Sequence, residues 1–101
     1  MMAEVSIIPL DKGSSLSEYV AKMVEIIESS GLNYKMNPMG TVIEGDGHEV
    51  FQLIEKCHNR MVEMSDRVVT TIKIDDKKGA SGMMSQKLES VDSKVDFKPK
   101  H

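Results

Sequence analysis

The sequence has no tryptophan, and only two phenylalanines and two tyrosines among its 101 residues. So few rings leave no stacking platform for single-stranded nucleic acid, and a net charge of −3 argues against a grip on a phosphate backbone. Nucleic acid is therefore not an expected partner. The lone Cys57 excludes an internal disulfide, and with three scattered histidines it supplies neither a CxxC pair nor a histidine pair at zinc-ligand spacing. No metal or cofactor is expected. Long apolar runs are also missing; a membrane span needs about 18 consecutive apolar residues, and the stretches here are only a few long. Residues 1–10 contain Glu4, no basic start and no long apolar centre, so they do not read as a secretory leader, and a cytoplasmic location is expected.

What the sequence does have is nine methionines and a 40% share of hydrophobic residues beside 29% charged ones. That composition fits one domain over residues 1–101, with an aliphatic, Met-rich core in which flexible thioethers fill gaps that rings fill elsewhere.

Residues 3–10 read as a strand, with Val5, Ile7 and Ile8 closed off by Pro9. Ser15-Leu-Ser-Glu18 has the form of a capping box, in which Ser15 bonds the amide three residues on and Glu18 reaches back. Leu16, Tyr19, Val20, Met23 and Ile27 then recur at helical spacing until Gly31 supplies a left-handed stop. Leu32, Tyr34 and Met36 alternate with polar residues, and beyond Pro38-Met-Gly40 a short strand over 41–45 completes a hairpin. Asp46-Gly-His-Glu49 repeats the capping logic before Val50, Leu53, Ile54, Cys57, Met61 and Met64. Residues 66–75 alternate as a fourth strand. Gly79-Ala-Ser-Gly82 reads as a hinge into a short helix with a narrow stripe of Met84, Leu88, Val91 and Val95, and residues 96–101 read as a fraying end.

The order is βαβ twice over. Crossovers of this kind are right-handed almost without exception, which limits the topology to a split βαβ arrangement. The expected fold is α+β: a ferredoxin-like βαββαβ sandwich, an antiparallel sheet with two helices on one face and a short C-terminal helix.

Alternation along each strand then sorts its residues between the helix-covered face and the open face. Val5, Ile7, Val42, Thr70, Ile72 and Ile74 are assigned to the core, and Tyr34 and Glu44 to the same side. Glu4, Ser6, Ile8, Lys35, Asn37, Thr41, Ile43, Val69, Thr71 and Lys73 are assigned to the open face. That face mixes Ile8, Ile43 and Val69 with short hydroxyl and amide groups, where a merely solvated surface would be polar throughout. Two uses fit it: a homo-oligomer interface in which sheets stack, and a small-molecule pocket between subunits with apolar walls and a few convergent polar groups.

No catalytic constellation stands out. Cys57 and His58 are neighbours on one helix, so their side chains diverge by about 100° and do not form a nucleophile and base pair by themselves. Cys57 lies on the apolar stripe and reads as a buried, inert thiol, and His48 as a solvated residue. Asp75-Asp-Lys-Lys78 reads as a charged turn. Met83 and Met84 pack either within the monomer or against a neighbouring subunit.

The strand Glu-Val-Ser-Ile-Ile-Pro at 4–9, the stretch Ser15-Leu-Ser-Glu-Tyr-Val, the run Met36-Asn-Pro-Met-Gly-Thr-Val-Ile-Glu-Gly45 and the strand from Asp66 to Asp76 together resemble the YkoF-like, thiamine-binding family of small stand-alone proteins. The resemblance implies a ferredoxin-like fold, dimers that extend the sheet, tetramers built by stacking such dimers, and no enzyme activity. It also implies a pocket at subunit contacts for thiamine or its hydroxymethylpyrimidine part. Carried over residue by residue, Thr41 and Glu44 match the family's Gly-Thr…Glu-Gly run, Ser6 and Ile8 lie on the matching first strand, and Thr71 and Lys73 on the matching fourth; with Asn37 of the open face, the ligand-binding candidates are Ser6, Ile8, Asn37, Thr41, Glu44 and Thr71. An aminopyrimidine presents an amine donor beside ring acceptors, which suits hydroxyl, amide and carboxylate partners, and a thiazolium charge favours Glu4 or Glu44.

The sequence reading is thus a non-catalytic, cytoplasmic homo-oligomer that binds a thiamine-like molecule, with a dimer of dimers as the expected assembly. The alternative is a structural or regulatory homo-oligomer that recognises a protein partner or an anionic metabolite through the Lys77-Lys78 turn and the last helix.

Overall fold

Four strands form one antiparallel sheet with the ferredoxin-like strand order. The elements are β1 (Met2–Pro9), α1 (Ser17–Ser29), β2 (Asn33–Asn37), β3 (Gly40–Glu44), α2 (Gly47–Met64), β4 (Val68–Asp75) and α3 (Met83–Asp92). The computed structural model describes residues 1–79 and 82–101, so the middle of the expected hinge, Ala80 and Ser81, lies outside the described residues. The two βαβ halves interleave: β3 sits between β1 and β2, and β1 sits between β3 and β4.

Hydrophobic spacing located the helices well, but their first turns differ from the expected capping. α1 begins at Ser17 with Leu16 as its cap residue, and no side chain caps it, so the Ser15 and Glu18 box does not form. Asp46 does precede α2 in extended conformation, again without a side-chain capping bond. Gly31 ends the α1 region at φ 76°, a left-handed conformation that a side chain would strain.

Both helices pack on one face of the sheet, where Ala3, Val5 and Ile43 meet Met23 and Ile27 of α1 and Val50, Leu53, Ile54, Cys57 and Met61 of α2. Cross-strand register fixes which residues point there. Ala3 is opposite Ile43 and Val5 is opposite Thr41, so Ile43, fully buried, and Thr41 face the helices. This reverses the expected parity of β3: Val42 and Glu44 lie on the other face, and Ile43 and Thr41 do not. The reversal has a physical source. The run Thr-Val-Ile-Glu has apolar residues of both parities because β3 is covered on both faces, which erases the period-two signal.

The remaining strands follow the expected parity with a difference in burial. Ile72 and Ile74 are on the helix side of β4 yet remain 42% and 41% exposed, because β4 is an edge strand that reaches past α2. Met36 likewise shares Thr41's side of the sheet on the opposite edge strand but is exposed. These parts of the two edge strands lie outside the core, whereas Tyr34 and Val68 pack against it. Tyr34 faces the helices as expected, and its hydroxyl donates to Glu28, whose carboxylate holds the phenol above its ordinary pKa.

Two loops at one end of the molecule are tied by Asp11. Its Oδ1 accepts a hydrogen bond from the Ser65 hydroxyl and its Oδ2 accepts one from the Asp66 amide at 3.0 Å. The Ser65 hydroxyl bond, then the Asp66 amide bond, hold the Asp11 carboxyl below its ordinary value of 3.8. A carboxylate whose folded pKa is depressed contributes stability that is present above the unfolded pKa and lost as pH falls through the folded one. An asparagine at this position offers one acceptor oxygen to two donors. Asp11→Asn is therefore expected to lower the urea midpoint at pH 7, and the gap from the parent is expected to close as pH drops below the ordinary carboxylate range. Chemical denaturation at a series of pH values checks both.

Candidate functional site

The sheet face away from α1 and α2 is not bare. α3 packs across one end of it, and Met84 and Leu88 of α3 share a cleft with Met2 and Val42 of the sheet. The surplus of aliphatic residues on this face is thus partly internal packing, and Met83 is buried within the chain.

Glu44 is what fastens α3 there. The cap residue of α3 is Gly82, which has no side chain to offer to the free amides of the first turn. Glu44 supplies the missing acceptor from β3: its Oε2 accepts from the Met84 amide at 3.1 Å, while its Oε1 accepts from the Asn33 side-chain amide at 3.3 Å. The carboxylate also complements the positive end of the helix. A second tie joins Lys87 of α3 to Asp75 of β4. At the far end of α3, His101 Nε2 is 3.0 Å from the Asp92 carboxylate, so the last residues turn back beside the helix.

Between α3 and the sheet lies a cavity of about 480 Å³. Its floor follows one cross-strand row, Lys35 of β2, Val42 of β3, Glu4 of β1 and Lys73 of β4. Asn37 stands at one margin, and Lys100 and His101 close another. Apolar side chains, Met2, Val42, Met84 and Leu88, and charged ones line it together. This volume suits a small organic molecule, since ligand pockets run to about 300–1,000 Å³.

The six residues singled out in the sequence fall into three groups. Asn37 lines the cleft, and Glu44 bonds the helix that walls it. Ser6, Ile8 and Thr71 are on the same sheet face: Ser6 pairs with Thr71 and Ile8 with Val69, toward the end that α3 leaves uncovered. Ile8 and Val69 remain 40% and 44% exposed there. Thr41 is on the opposite face, buried beneath the helices, for the reason of register given above. Glu44, assigned to the helix side by alternation, is instead on the cleft side.

Met84, Leu88, Lys35 and Lys73 were absent from that set. Alternation already marked the two lysines as open-face residues, but the approach of α3 to β3, forty residues away in sequence, leaves no local signal.

Cys57 is buried, and burial pushes its thiol up to about 11, which keeps it protonated and inert near neutral pH. His58 turns away from it and shares a 2.6 Å hydrogen bond between Nδ1 and Thr70 Oγ1. His48 is exposed. Among the described residues, no three His, Cys, Asp or Glu side chains gather as a metal site would require, and no helix is long and apolar enough to cross a membrane.

If Glu44 anchors α3, Glu44→Ala should speed amide hydrogen exchange across α3 by roughly tenfold, the loss of one charge-assisted hydrogen bond worth about 1.5 kcal/mol. Exchange in α2 should stay as it was, and mass-spectrometric detection of the peptides separates the two.

Comparison with known proteins follows the same outline. A family model described as thiamine-binding protein matches residues 3–92. A UPF0045 protein of Methanocaldococcus jannaschii is 41% identical over 91 residues, 90% of this chain and 91% of the relative. Another, of Methanothermobacter thermautotrophicus, is 40% identical over 96 residues, 92% and 97% of the two chains. The crystal structure of the M. jannaschii protein superposes with a TM-score of 0.83 over 89% of this chain and 93% of that one. A Thermotoga maritima structure, of a candidate thiamine biosynthesis/salvage protein, superposes at 0.77 with 21% identity, covering 88% and 96%, and shares the fold. With the family's model matched along nearly the whole chain, this chain belongs to the thiamine-binding protein family.

Proposed function

We propose that this chain binds thiamine, or its hydroxymethylpyrimidine part, in the cleft between the open sheet face and α3, and releases it unchanged. The observation that carries the reading is the cleft itself: about 480 Å³, lined by both apolar and polar side chains, in a member of a family named for binding thiamine. A pyrimidine ring fits between the aliphatic surfaces of Val42, Met84 and Leu88. Asn37 provides both donor and acceptor for the ring nitrogens and amine, and Glu4 provides a carboxylate for a cationic ring.

The working unit in this reading is a cytoplasmic homo-oligomer. Ile8 and Val69 form an apolar patch on the open face beside Ser6 and Thr71, and the partly exposed Ile72 and Ile74 flank the free edge of β4. The first surface suits the stacking of two sheets, the second the extension of one sheet into another, and together they suit a tetramer. Stacking would bring a second copy's face toward the cleft and let Ser6, Ile8 and Thr71 contribute to it.

Titration calorimetry with thiamine and with hydroxymethylpyrimidine is expected to give saturable heat, and Asn37→Ala is expected to weaken it by roughly five- to tenfold, one lost hydrogen bond of about 1 kcal/mol or slightly more. Absence of binding at millimolar ligand would overturn the reading. For the assembly, sedimentation at micromolar concentration should report a multimer that Ile8→Lys splits, since a lysine on a buried patch leaves an unpaired charge. A parent protein that sediments as a monomer would remove the shared pocket.

A further inference from the structure

The charge around the cleft is the reverse of the charge of the chain. The whole sequence carries −3, yet four lysines, Lys35, Lys73, Lys87 and Lys100, line this one cavity against two carboxylates, Glu4 and Asp75. Asp75 is already paired with Lys87. Among the described residues no carboxylate is within ion-pair distance of Lys35, Lys73 or Lys100, and that includes Glu4, which sits in the same cross-strand row as the first two.

Lys35 and Lys73 stand on the two edge strands with β3 and β1 between them, so their backbones are about 14 Å apart at the usual strand spacing. Both long stems reach the same cavity from opposite sides, over Val42 and Glu4. Like charges held around one cavity repel one another, and an anion between them relieves that repulsion. Free thiamine does not, because its thiazolium is itself a cation. A phosphate ester does: its oxygens accept charge-assisted hydrogen bonds from ammonium groups, while the ring system keeps to the apolar side chains and leaves any ring cation to Glu4.

From this geometry we propose that Lys35, Lys73 and Lys100 form an anion subsite, and that the cleft takes a phosphorylated aminopyrimidine compound in preference to the free alcohol. The assignment rests on the reading of the cleft as a ligand site and narrows the class of molecule it holds.

Calorimetry on the full chain with thiamine, thiamine monophosphate and inorganic phosphate tests it. The monophosphate is expected to bind at least about tenfold tighter than thiamine, the worth of one or two charge-assisted hydrogen bonds. Raising salt from about 50 to about 500 mM should narrow that gap, because exposed ammonium groups are screened. The double variant Lys35→Gln, Lys73→Gln should narrow it as well, with an unchanged urea midpoint showing that the fold is intact. Saturable thiamine binding with no advantage for the monophosphate, or an advantage that the double variant retains, overturns the anion subsite and leaves the cleft as a ligand site. Inorganic phosphate binding as tightly as the monophosphate overturns the organic ester as the ligand. Failure of both thiamine and its monophosphate to bind removes the cleft and the subsite together.

Discussion

The structure depends on the burial of the two middle strands against α1 and α2, with α3 covering part of β3 from the other side. β1 and β3 carry Ala3, Val5, Thr41 and Ile43 against α1 and α2, while Val42 lies under α3 on the other face. A small domain has little interior to bury, and a three-layer centre extracts more from the same strands than a two-layer one. The aliphatic, Met-rich composition suits this, because unbranched thioethers such as Met23, Met61 and Met84 fill irregular gaps between layers. The edges are different: β2 and β4 expose Met36, Ile72 and Ile74, and so keep the means of further association.

That third layer also makes the site. α3 would have an uncapped first turn, since Gly82 precedes it, and Glu44 of β3 satisfies it from across the face. One carboxylate therefore does two things at once, ending an orphaned amide and fixing the height of the roof over the cleft. Asp75 and Lys87 hold the same helix from the β4 side. With Glu44 and Asp75 occupied, Lys35, Lys73 and Lys100 outnumber Glu4 among the cleft's unpaired charges, so its electrostatic character follows in part from how the helix is moored.

The expectations that succeeded and failed did so for separable reasons. Helix positions rested on runs of apolar residues at three- and four-residue spacing, a signal that survives because α1 and α2 each bury one face. Capping at Ser15 failed because the chain enters α1 one residue later, with Leu16 in the cap position. Strand parity held for β1, β2 and β4 and inverted for β3. In β3, Val42 and Ile43 are both apolar because each has its own covering helix layer, so no alternation was left to read. Thr41 and Glu44 changed sides with them, and the candidate site changed accordingly: Asn37 stayed at the cleft, Glu44 became its anchor, and Thr41 moved to the core.

By itself the sequence determined the order of elements, and with it the split βαβ topology, because hydrophobic period and turn residues are local properties that each segment carries alone. It also determined what is scarce, rings and cysteine, and so the aliphatic nature of every packed surface. Only the tertiary structure decided which face of β3 meets which layer, that Glu44 caps a helix forty residues away, and that Lys35 and Lys73 share one cavity. Those are matters of register and of long-range contact. They depend on how strands from distant parts of the chain are set side by side, and no single segment contains that information.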